Sequence, residues 1–293
     1  MTGGLPSTET ANPAARDLDL MDSEAIVALL AREQCAAASA VERATPAIAR
    51  AVDAIVARLR AGGRLHYVGA GTSGRIATLD AAECPPTFGT PPSLVVAHVA
   101  GGDEALVRAV EGAEDDGERG VQAIRDAGAG DAVVGISASG GAPYVVRAVA
   151  AARERGALTI ALTSVAASAL AAAAELAIVV DTGAEPIAGS TRLKAGTAAK
   201  LVLNALSTAT MVRLGRVHDN VMVDVVASNA KLRARAMRLV CELALVDEPA
   251  AHELLEASGG SVKVAVAMHR RGVDAARARE LLAQSGGFLR PVL

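Results

Sequence analysis

Residues 62–89 read GGRLHYVGAGTSGRIATLDAAECPPTFG, and this stretch decides the fold. A short apolar run, Leu65 to Val68, leads into the glycine- and hydroxyl-rich loop GAGTSG, and a helix-competent segment follows the loop. A loop in that position directs backbone N–H groups and the positive end of a helix dipole at one point. Such a point suits a phosphate group, so the stretch predicts an anion-binding site between a strand and a helix.

Short apolar runs alternate with helical segments along the middle of the chain. The runs are Leu65 to Val68, Leu94 to Val99, Ala132 to Ile136, Leu158 to Leu162 and Ala177 to Val180. Nearly continuous apolar strands separated by helices are typical of a parallel sheet that is covered on both faces. We therefore expect an α/β fold with a five-stranded parallel sheet flanked by helices. In such sheets ligands bind at the carboxyl ends of the strands, near a switch point in the strand order.

The sequence on either side of these runs is helical or irregular. Residues 1–22 lack apolar periodicity and predict an extended or poorly ordered arm. Apolar residues at helical spacing predict helices over residues 23–32, 38–60, 193–214, 227–245, 248–257, 261–271 and 274–284. We expect three parts, namely an N-terminal arm with two helices (1–60), a ligand-binding α/β domain (61–245) and a small helical domain (246–293).

The composition argues against nucleic acid as a partner. Aromatic residues make up 1% of the chain, tryptophan is absent, and the formal net charge is -3. Proteins that bind nucleic acid usually present a basic surface, and many of them stack bases on aromatic side chains. An anionic ligand is therefore expected to be held by local dipoles and hydroxyl groups.

The chain is expected to act in the cytoplasm. Its N-terminus lacks the basic and apolar regions of a secretory signal, and its 3 cysteines are odd in number and widely spaced. Residues 157–174 carry no charge over nearly the length of a membrane span. Because this segment contains Thr and Ser and divides into two apolar pieces, we interpret it as a strand and a helix. No membrane association is expected.

We expect neither a metal nor an organic cofactor. The 5 histidines show no metal-ligand spacing. GAGTSG fits the GxGxxG pattern of dinucleotide-binding proteins, but the second strand ends with His98 where those proteins place a ribose-binding acid. GISAS at residues 135–139 lacks the final glycine of a hydrolase nucleophile elbow. Ser137 and Ser139 are therefore predicted to donate hydrogen bonds to a phosphate or a hydroxyl group.

Two groups of acidic residues are candidates for chemistry. Glu83 precedes Cys84 and two prolines, and a helix is not expected to continue through Pro85 and Pro86. Glu83 is therefore predicted to lie at the end of an element. The second group lies in AVEGAEDDGERG and comprises Glu111, Glu114, Asp115 and Asp116. Spacing alone leaves two interpretations open, a catalytic role or solvated charges at helix ends.

These motifs together resemble one protein family. GAGTSGR, LDAAECPPTFG, AVEGAED, SASG, GSTRLKAGTAAKLVLN and NVMVDVVASNAKLRARA are similar to the motifs of the N-acetylmuramic acid 6-phosphate etherases, members of the sugar isomerase (SIS) domain superfamily. The N-terminal TETANPAARDLD and the helical C-terminal part also fit, so the resemblance covers nearly the whole chain. It implies an SIS-type three-layer fold and a lyase of bacterial cell-wall (peptidoglycan) recycling.

The resemblance also implies a reaction. N-acetylmuramate 6-phosphate and water would give N-acetylglucosamine 6-phosphate and D-lactate, without a cofactor. After the sugar ring opens, a base removes the C2 proton, lactate leaves C3, and water adds to the resulting double bond. By resemblance, Glu83 is the acid that protonates the departing lactate and Glu114 is the base at C2.

The same resemblance implies how the substrate is held. The residues that would bind it, chiefly its 6-phosphate, are Gly71, Thr72, Ser73, Ser137, Ser139 and Ser190. Arg192 and Lys194 are further candidates. Family members are usually dimers with sites at the subunit interface, so a homodimer is expected.

The chain departs from the family pattern after SASG, where Gly141 and Ala142 replace a common Arg-Thr pair. It also differs around residues 32–35. Two alternatives stay open. One is a non-catalytic sugar-phosphate sensor like the glucokinase regulatory proteins, which are longer and have two SIS domains. The other is a sugar-phosphate isomerase, which also removes a C2 proton but needs no second acid to expel an ether.

Overall fold

The computed structural model describes residues 6–227 and 229–293 and contains the expected sheet. Its strands are β1 (Leu65–Gly69), β2 (Val95–Val99), β3 (Ala132–Ile136), β4 (Leu158–Thr163) and β5 (Leu176–Val179). They lie in the order β2-β1-β3-β4-β5, and every neighbouring pair is parallel. All five predicted strands are therefore confirmed, with small shifts at their ends.

The strand order places a switch point between β1 and β3. From β1 the chain passes to β2 on one side and then returns to β3 on the other side of β1. Gly69, the last residue of β1, is in register with Ile136, the last residue of β3. The loops after these two strands therefore start side by side, which is where ligands bind in open α/β sheets.

Both faces of the sheet are covered, since every residue of β1, β3 and β4 is buried. The helices are α1 (Ser23–Arg43), α2 (Thr45–Arg60), α3 (Gly71–Phe88), α4 (Glu104–Val107), α5 (Gly117–Ala123), α6 (Pro143–Glu154), α7 (Ala169–Ala173), α8 (Lys194–Arg213), α9 (Ala230–Ala244), α10 (Glu248–Ser258), α11 (Val262–Arg271) and α12 (Ala275–Gln284). An antiparallel ribbon of β6 (Val217–His218) and β7 (Val221–Met222) follows α8.

The break between the first two helices lies later than the sequence indicated. Residues 33–37 contain no glycine or proline and continue α1, whereas α2 begins at Thr45. Pro46 explains this position, because proline lacks an N–H group and is tolerated in the first turn of a helix but not in its interior. The helix therefore restarts immediately before the proline.

Helix α3 passes through Pro85 and Pro86, so the prediction that an element ends at Glu83 is wrong. The fixed φ of proline is compatible with a helix, and each ring removes one N–H donor and crowds the carbonyl four residues earlier. Here the pair lies close to the helix end, and the Gly89 N–H still donates to the Pro85 carbonyl at 3.0 Å. Glu83 is therefore inside the helix, with an exposed side chain.

The N-terminal arm is more ordered than the sequence indicated. Short 3-10 turns cover Ser7–Glu9, Pro13–Ala15 and Leu18–Leu20. Thr8 is fully buried, and its carbonyl accepts a hydrogen bond from the Gly189 N–H at 3.0 Å. Polar contacts thus hold the arm in place. Because the arm has no apolar face, hydrophobic periodicity did not predict that it is ordered. Residues 1–5 lie outside the described part of the chain.

The chain divides into two compact units. The first contains residues 1–81 and 93–206, including the whole parallel sheet, and the second contains residues 82–92 and 207–293. The predicted boundary at residue 245 therefore falls inside the second unit.

Helices α9 to α12 of the second unit share one apolar cluster. Lys263 in α11 is buried there, and its ammonium group pairs with the Asp224 carboxylate at 2.7 Å. Burial lowers the pKa of Lys263, while the Asp224 carboxylate opposes that effect. Helix α9 thus packs with the C-terminal helices, although the sequence assigned it to the α/β domain.

The uncharged segment 157–174 contains β4 and α7, as predicted. None of the described helices has the length and apolar character needed to cross a membrane.

Candidate active site

A cavity of about 460 Å³ lies at the switch point of the sheet. Its wall includes the loop after β1, the loop after β3, the turn before α5 and the loop before α8. Six of the predicted site residues line it, namely Gly71, Thr72, Ser73, Glu114, Ser137 and Ser139. The structure therefore brings together the two loops and one of the two acids that the sequence singled out.

Glycines allow the first turn of α3 to pack directly against the end of β1. A Cβ atom at Gly74 would lie 2.8 Å from the Gly69 carbonyl oxygen and 2.7 Å from Val99 Cγ1. Gly71 has a φ of +53°, which glycine adopts at little cost. This close packing sets the first backbone N–H groups of the helix beside the cavity, where an anion is favoured.

Two serines in the loop after β3 are oriented by backbone amides. Ser137 Oγ accepts a hydrogen bond from the Gly140 N–H at 3.1 Å, and Ser139 Oγ accepts one from the Gly141 N–H at 3.3 Å. Each hydroxyl carries one hydrogen to donate. With an amide occupying an acceptor position on each oxygen, both hydroxyls are set up as donors to a ligand in the cavity.

The charged groups of the wall are acidic. Glu9, Glu114 and Asp115 line the cavity, whereas no lysine or arginine from the described residues does. Arg75, the first basic residue after the glycine loop, donates instead to the carbonyl oxygens of Ala105 and Arg108 at 2.8 and 3.0 Å. A bound phosphate would therefore depend on hydroxyl groups and backbone N–H groups.

Glu114 is presented by a short 3-10 turn, Ala113–Asp115, that follows Gly112. Gly112 has a φ of +69°, and this left-handed conformation reverses the chain before the turn. Ala113 packs against the apolar cluster beneath the sheet, while the Glu114 side chain is exposed toward the cavity. A carboxylate at a cavity wall can accept a proton from a ligand bound in that cavity.

This chain is similar to SIS-domain proteins and to curated etherases. A family model described as Glucokinase regulatory protein N-terminal SIS domain matches residues 47–153, and the SIS domain model matches residues 108–209. A curated N-acetylmuramic acid 6-phosphate etherase from Gloeobacter violaceus is 52% identical over 96% of this chain and 93% of its own length. Another from Serratia proteamaculans is 48% identical over 100% of this chain and 99% of its own.

This chain belongs to the N-acetylmuramic acid 6-phosphate etherase family. Among solved structures, a phosphoheptose isomerase from Francisella tularensis is similar, with a TM-score of 0.52 and 24% identity. The match covers 66% of this chain and 100% of the isomerase chain. It supports the SIS-type α/β fold that the sequence predicted.

The two residues at which the sequence was expected to depart from the family motif lie in the cavity wall. Gly141 and Ala142 both line it. A Cβ atom at Gly141 would have Ser139 Oγ as its nearest neighbour, at 3.7 Å, so a larger side chain has room there. With Gly141 and Ala142 at these positions, this part of the wall contributes no basic side chain.

The predicted ligands before α8 have mixed outcomes. Gly189 and Thr191 line the cavity, but Ser190 between them is not among its described lining residues, so a role for Ser190 stays a prediction. Lys194 is buried, and its ammonium group pairs with the Glu33 carboxylate at 2.7 Å. Lys194 is therefore engaged in holding the fold together, and Arg192 is exposed.

Glu83, the other predicted catalytic acid, lies in the segment 82–92 of the second unit. Its side chain is exposed on α3. Its role as the acid for the leaving group stays a prediction.

Two residues of the wall were missed by sequence reasoning. Glu9 comes from the arm, and Thr191 from the loop before α8. One local signal was available for the arm, since Asn12 before Pro13 is a typical helix-capping pair, and Asn12 Oδ1 does accept the Ala14 N–H at 2.9 Å. That signal indicates an ordered turn but not which side of the molecule the turn contacts.

His98, at the position where dinucleotide-binding proteins have an acid, has a partner inside the protein. His98 Nε2 lies 3.0 Å from His66 Nδ1, and the two rings are stacked with centroids 5.3 Å apart. Burial lowers the pKa of His66 to about 4, and the neighbouring His98 and Arg64 act in the same direction. Burial lowers the pKa of His98 as well, so both imidazoles are neutral near pH 7 and the pair belongs to the sheet rather than to a ribose site.

Proposed function

We propose that this chain is a carbon–oxygen lyase that cleaves the lactyl ether of N-acetylmuramic acid 6-phosphate by elimination and hydration. The products are N-acetylglucosamine 6-phosphate and D-lactate, and the reaction serves peptidoglycan recycling. The observation that carries the proposal is the cavity at the switch point, whose lining residues include both the hydroxyl and glycine residues of the two loops and the exposed Glu114. Membership in the etherase family supports the choice of substrate.

In the proposed reaction the 6-phosphate binds to the start of α3 and to the hydroxyl groups of Ser73, Ser137 and Ser139. Thr72 adds another hydroxyl donor, and Gly71 lets the backbone approach closely. This leaves the other end of the open-chain sugar toward Glu114. Anchoring the phosphate fixes the reacting carbons relative to the base, which is a large part of what an active site supplies.

The chemistry then proceeds in two stages. Glu114 takes the proton from C2, which is acidic beside the C1 aldehyde, and the C3–O bond breaks as Glu83 gives its proton to the lactate oxygen. Water then adds across the double bond: its oxygen bonds to C3 as Glu83 takes a proton from the water, and Glu114 returns a proton to C2. Protons and electrons balance without a cofactor.

The proposal includes a homodimer and a cytoplasmic location. The resemblance to the etherases implies a dimer with sites at the subunit interface and an enzyme that acts in the cytoplasm. Cys35, Cys84 and Cys241 form no disulfide bond with one another, which suits a reducing compartment. Light scattering during size-exclusion chromatography tests the dimer, and a mass equal to one chain would contradict it.

The experiment that tests the function is release of D-lactate from N-acetylmuramate 6-phosphate by the purified protein. N-acetylmuramate without the phosphate is the matched control substrate, and we expect little turnover of it because the cavity would have no anion to hold. Binding of the sugar phosphate without lactate release would refute the lyase and favour a sugar-phosphate sensor. That alternative is favoured by the match to the glucokinase regulatory protein domain.

Two substitutions test the proposed roles of the acids. Glu83→Gln should stop lactate release with little loss of binding, because it removes the proton donor and keeps the shape. Glu114→Gln should abolish exchange of the C2 proton with solvent. Glu118→Gln is the matched control, since Glu118 is an exposed acid on α5 that pairs with Arg147. Normal C2 exchange in Glu114→Gln would show that another group is the base.

A further inference from the structure

We propose that Glu9, supplied by the N-terminal arm, is a substrate-binding residue that accepts hydrogen bonds from the neutral donors of the sugar, its hydroxyl groups and the N–H of its acetamido group. This inference deepens the proposed function and rests on it for the identity of the sugar. Glu9 lies in TETANPAARDLD, the N-terminal segment that resembles the etherase family, but that resemblance assigns Glu9 no role. Its position in the folded chain indicates one.

The arm places Glu9 at the cavity through a short, direct contact with the loop before α8. The Gly189 N–H donates to the carbonyl of Thr8, the residue before Glu9, at 3.0 Å. A Cβ atom at Gly189 would lie only 3.0 Å from Glu9 Oε2, and Gly189 has a φ of +77°. A side chain at Gly189 would therefore crowd the carboxylate, and glycine leaves Glu9 room at the wall.

A second anchor holds the arm a few residues further on. Asn12 Nδ2 donates to Glu33 Oε2 at 2.9 Å and to the Ala184 carbonyl at 3.2 Å. The Lys194 ammonium donates to the same two acceptors, at 2.7 and 2.9 Å. Burial by itself raises the pKa of Glu33, but the hydrogen bonds from Lys194 and Asn12 outweigh it and lower the pKa. Arm, α1 and the start of α8 are thus joined by one charged cluster.

The Glu9 side chain itself is not used in this anchoring. Across residues 6–227 and 229–293, its carboxylate has no hydrogen bond or ion pair, whereas Thr8 and Asn12 on either side of it are tied down. Its side chain is exposed and lines the cavity. A carboxylate held at a cavity wall without a partner is an acceptor for a ligand.

The negative charge of Glu9 determines from which groups of the ligand it can accept hydrogen bonds. The substrate has two anionic groups, the phosphate and the lactyl carboxylate, and a carboxylate repels both. The phosphate donors, in contrast, lie in the loops after β1 and β3. Glu9 therefore suits the uncharged middle of the ligand, where hydroxyl and amide N–H groups are the donors.

The test measures binding of two ligands by calorimetry, N-acetylglucosamine 6-phosphate and inorganic phosphate. Glu9→Ala should weaken binding of the sugar phosphate by about tenfold to a hundredfold, the range for a hydrogen bond to a charged group. Binding of inorganic phosphate should stay the same or tighten, because a negative charge is removed. Glu9→Gln, which keeps an acceptor oxygen, should lose less. Asp19→Ala, an exposed acid on the same arm, is the matched control.

Asn12→Ala gives a second measurement, since it loosens the arm and keeps Glu9. It should weaken the sugar phosphate in the same direction, with inorganic phosphate again unaffected. Unchanged affinity of Glu9→Ala for the sugar phosphate would overturn the inference, and so would an equal loss for both ligands, which indicates general damage to the cavity. A wild-type protein that binds the sugar phosphate but releases no lactate refutes the lyase and leaves this test intact.

Discussion

Helices α3 and α8 both begin near loops of the cavity, but their N-termini meet different partners. The first residues of α3, Gly71, Thr72 and Ser73, line the cavity. At the start of α8, the N–H groups of Lys194 and Ala195 both donate to the carboxylate of Glu185 at 2.9 Å, and Glu185 is fully buried. One helix dipole is open to a ligand, and the other is already neutralised by the protein.

The difference shows that a helix N-terminus can bind either a ligand anion or a carboxylate of the protein itself. The sequence GSTRLKAG across the start of α8 is also rich in hydroxyl and glycine residues, yet its helix start is capped by an internal carboxylate. Among the described residues, no carboxylate accepts a hydrogen bond from the N–H groups of Gly71, Thr72 or Ser73, so these amides stay available. A hydroxyl-rich helix start is therefore evidence for a ligand only when no acid caps it.

The largest expected effect comes from removing the carboxylate that caps the N-terminus of α8. Glu185→Ala leaves two buried N–H groups without an acceptor, and we expect the free energy of unfolding to fall by about 4 kcal/mol. Inorganic phosphate should restore part of the loss, because it can occupy the vacated helix start. Denaturant unfolding measures both effects, with Glu175→Ala, an exposed acid near β5, as the control. A loss below about 1 kcal/mol would mean that the cap contributes little.

The next effect concerns β1, the strand that leads into the uncapped N-terminus of α3. Folded His66 binds a proton only near pH 4, whereas the unfolded chain does so near 6.5, so the unfolded state binds more protons between these values. Stability from His66 is present above pH 6.5 and is lost as the pH falls toward 4, by about 3 kcal/mol. Unfolding of His66→Leu should depend less steeply on pH in this window. Equal slopes would assign the acid sensitivity to other groups.

Overpacking the first turn of α3 should lower the free energy of unfolding by a smaller amount. In Gly74→Ala the new Cβ meets the Gly69 carbonyl oxygen and Val99, so the first turn of α3 has to shift. We expect a loss of about 2 kcal/mol in stability and a fall in sugar-phosphate affinity. Gly128→Ala is the control, because no atom lies within 4 Å of its Cβ position. Wild-type affinity in Gly74→Ala would show that the position of this turn does not set ligand binding.

Removing a single hydroxyl donor from the loop after β3 should leave the fold intact. Ser137→Ala and Ser139→Ala should each weaken inorganic phosphate and sugar phosphate alike, by about tenfold, since each removes one hydrogen bond of about 1.4 kcal/mol. The midpoint of thermal unfolding should change little. Ser39→Ala, on the exposed side of α1, controls for serine removal as such. Loss of sugar-phosphate binding without loss of phosphate binding would place these hydroxyls at the sugar.

The smallest effect is a gain. Gly141→Arg introduces a guanidinium group into a wall that has carboxylates but, among the described residues, no basic side chain, and the position has room for it. Phosphate should bind a few-fold more tightly, and the gain should shrink with added salt because the pair is exposed to solvent. Gly141→Gln is the uncharged control. Weaker phosphate binding in the arginine variant would indicate that the side chain fills the cavity instead.

Sequence alone was sufficient for the five strands and their parallel arrangement. Runs such as Ala132 to Ile136 are apolar throughout, and this pattern reports burial on both faces of a sheet. It was also sufficient for the loop GAGTSG and for Ser137 and Ser139, because strand ends in a parallel sheet meet at one edge. The etherase family could likewise be inferred from the sequence, because its motifs are short continuous stretches such as LDAAECPPTFG and AVEGAED.

Which polar side chains meet depends on the tertiary structure. Glu9 lies beside Gly189, Lys194 pairs with Glu33, and Glu185 caps α8, and in each case a local pattern indicates an ordinary surface charge or a ligand. The continuation of α3 through Pro85 and Pro86 was likewise not evident from proline's helix-breaking tendency. Periodicity and turn chemistry report local backbone preference and burial, whereas a side chain's partner depends on which distant segments the fold brings together.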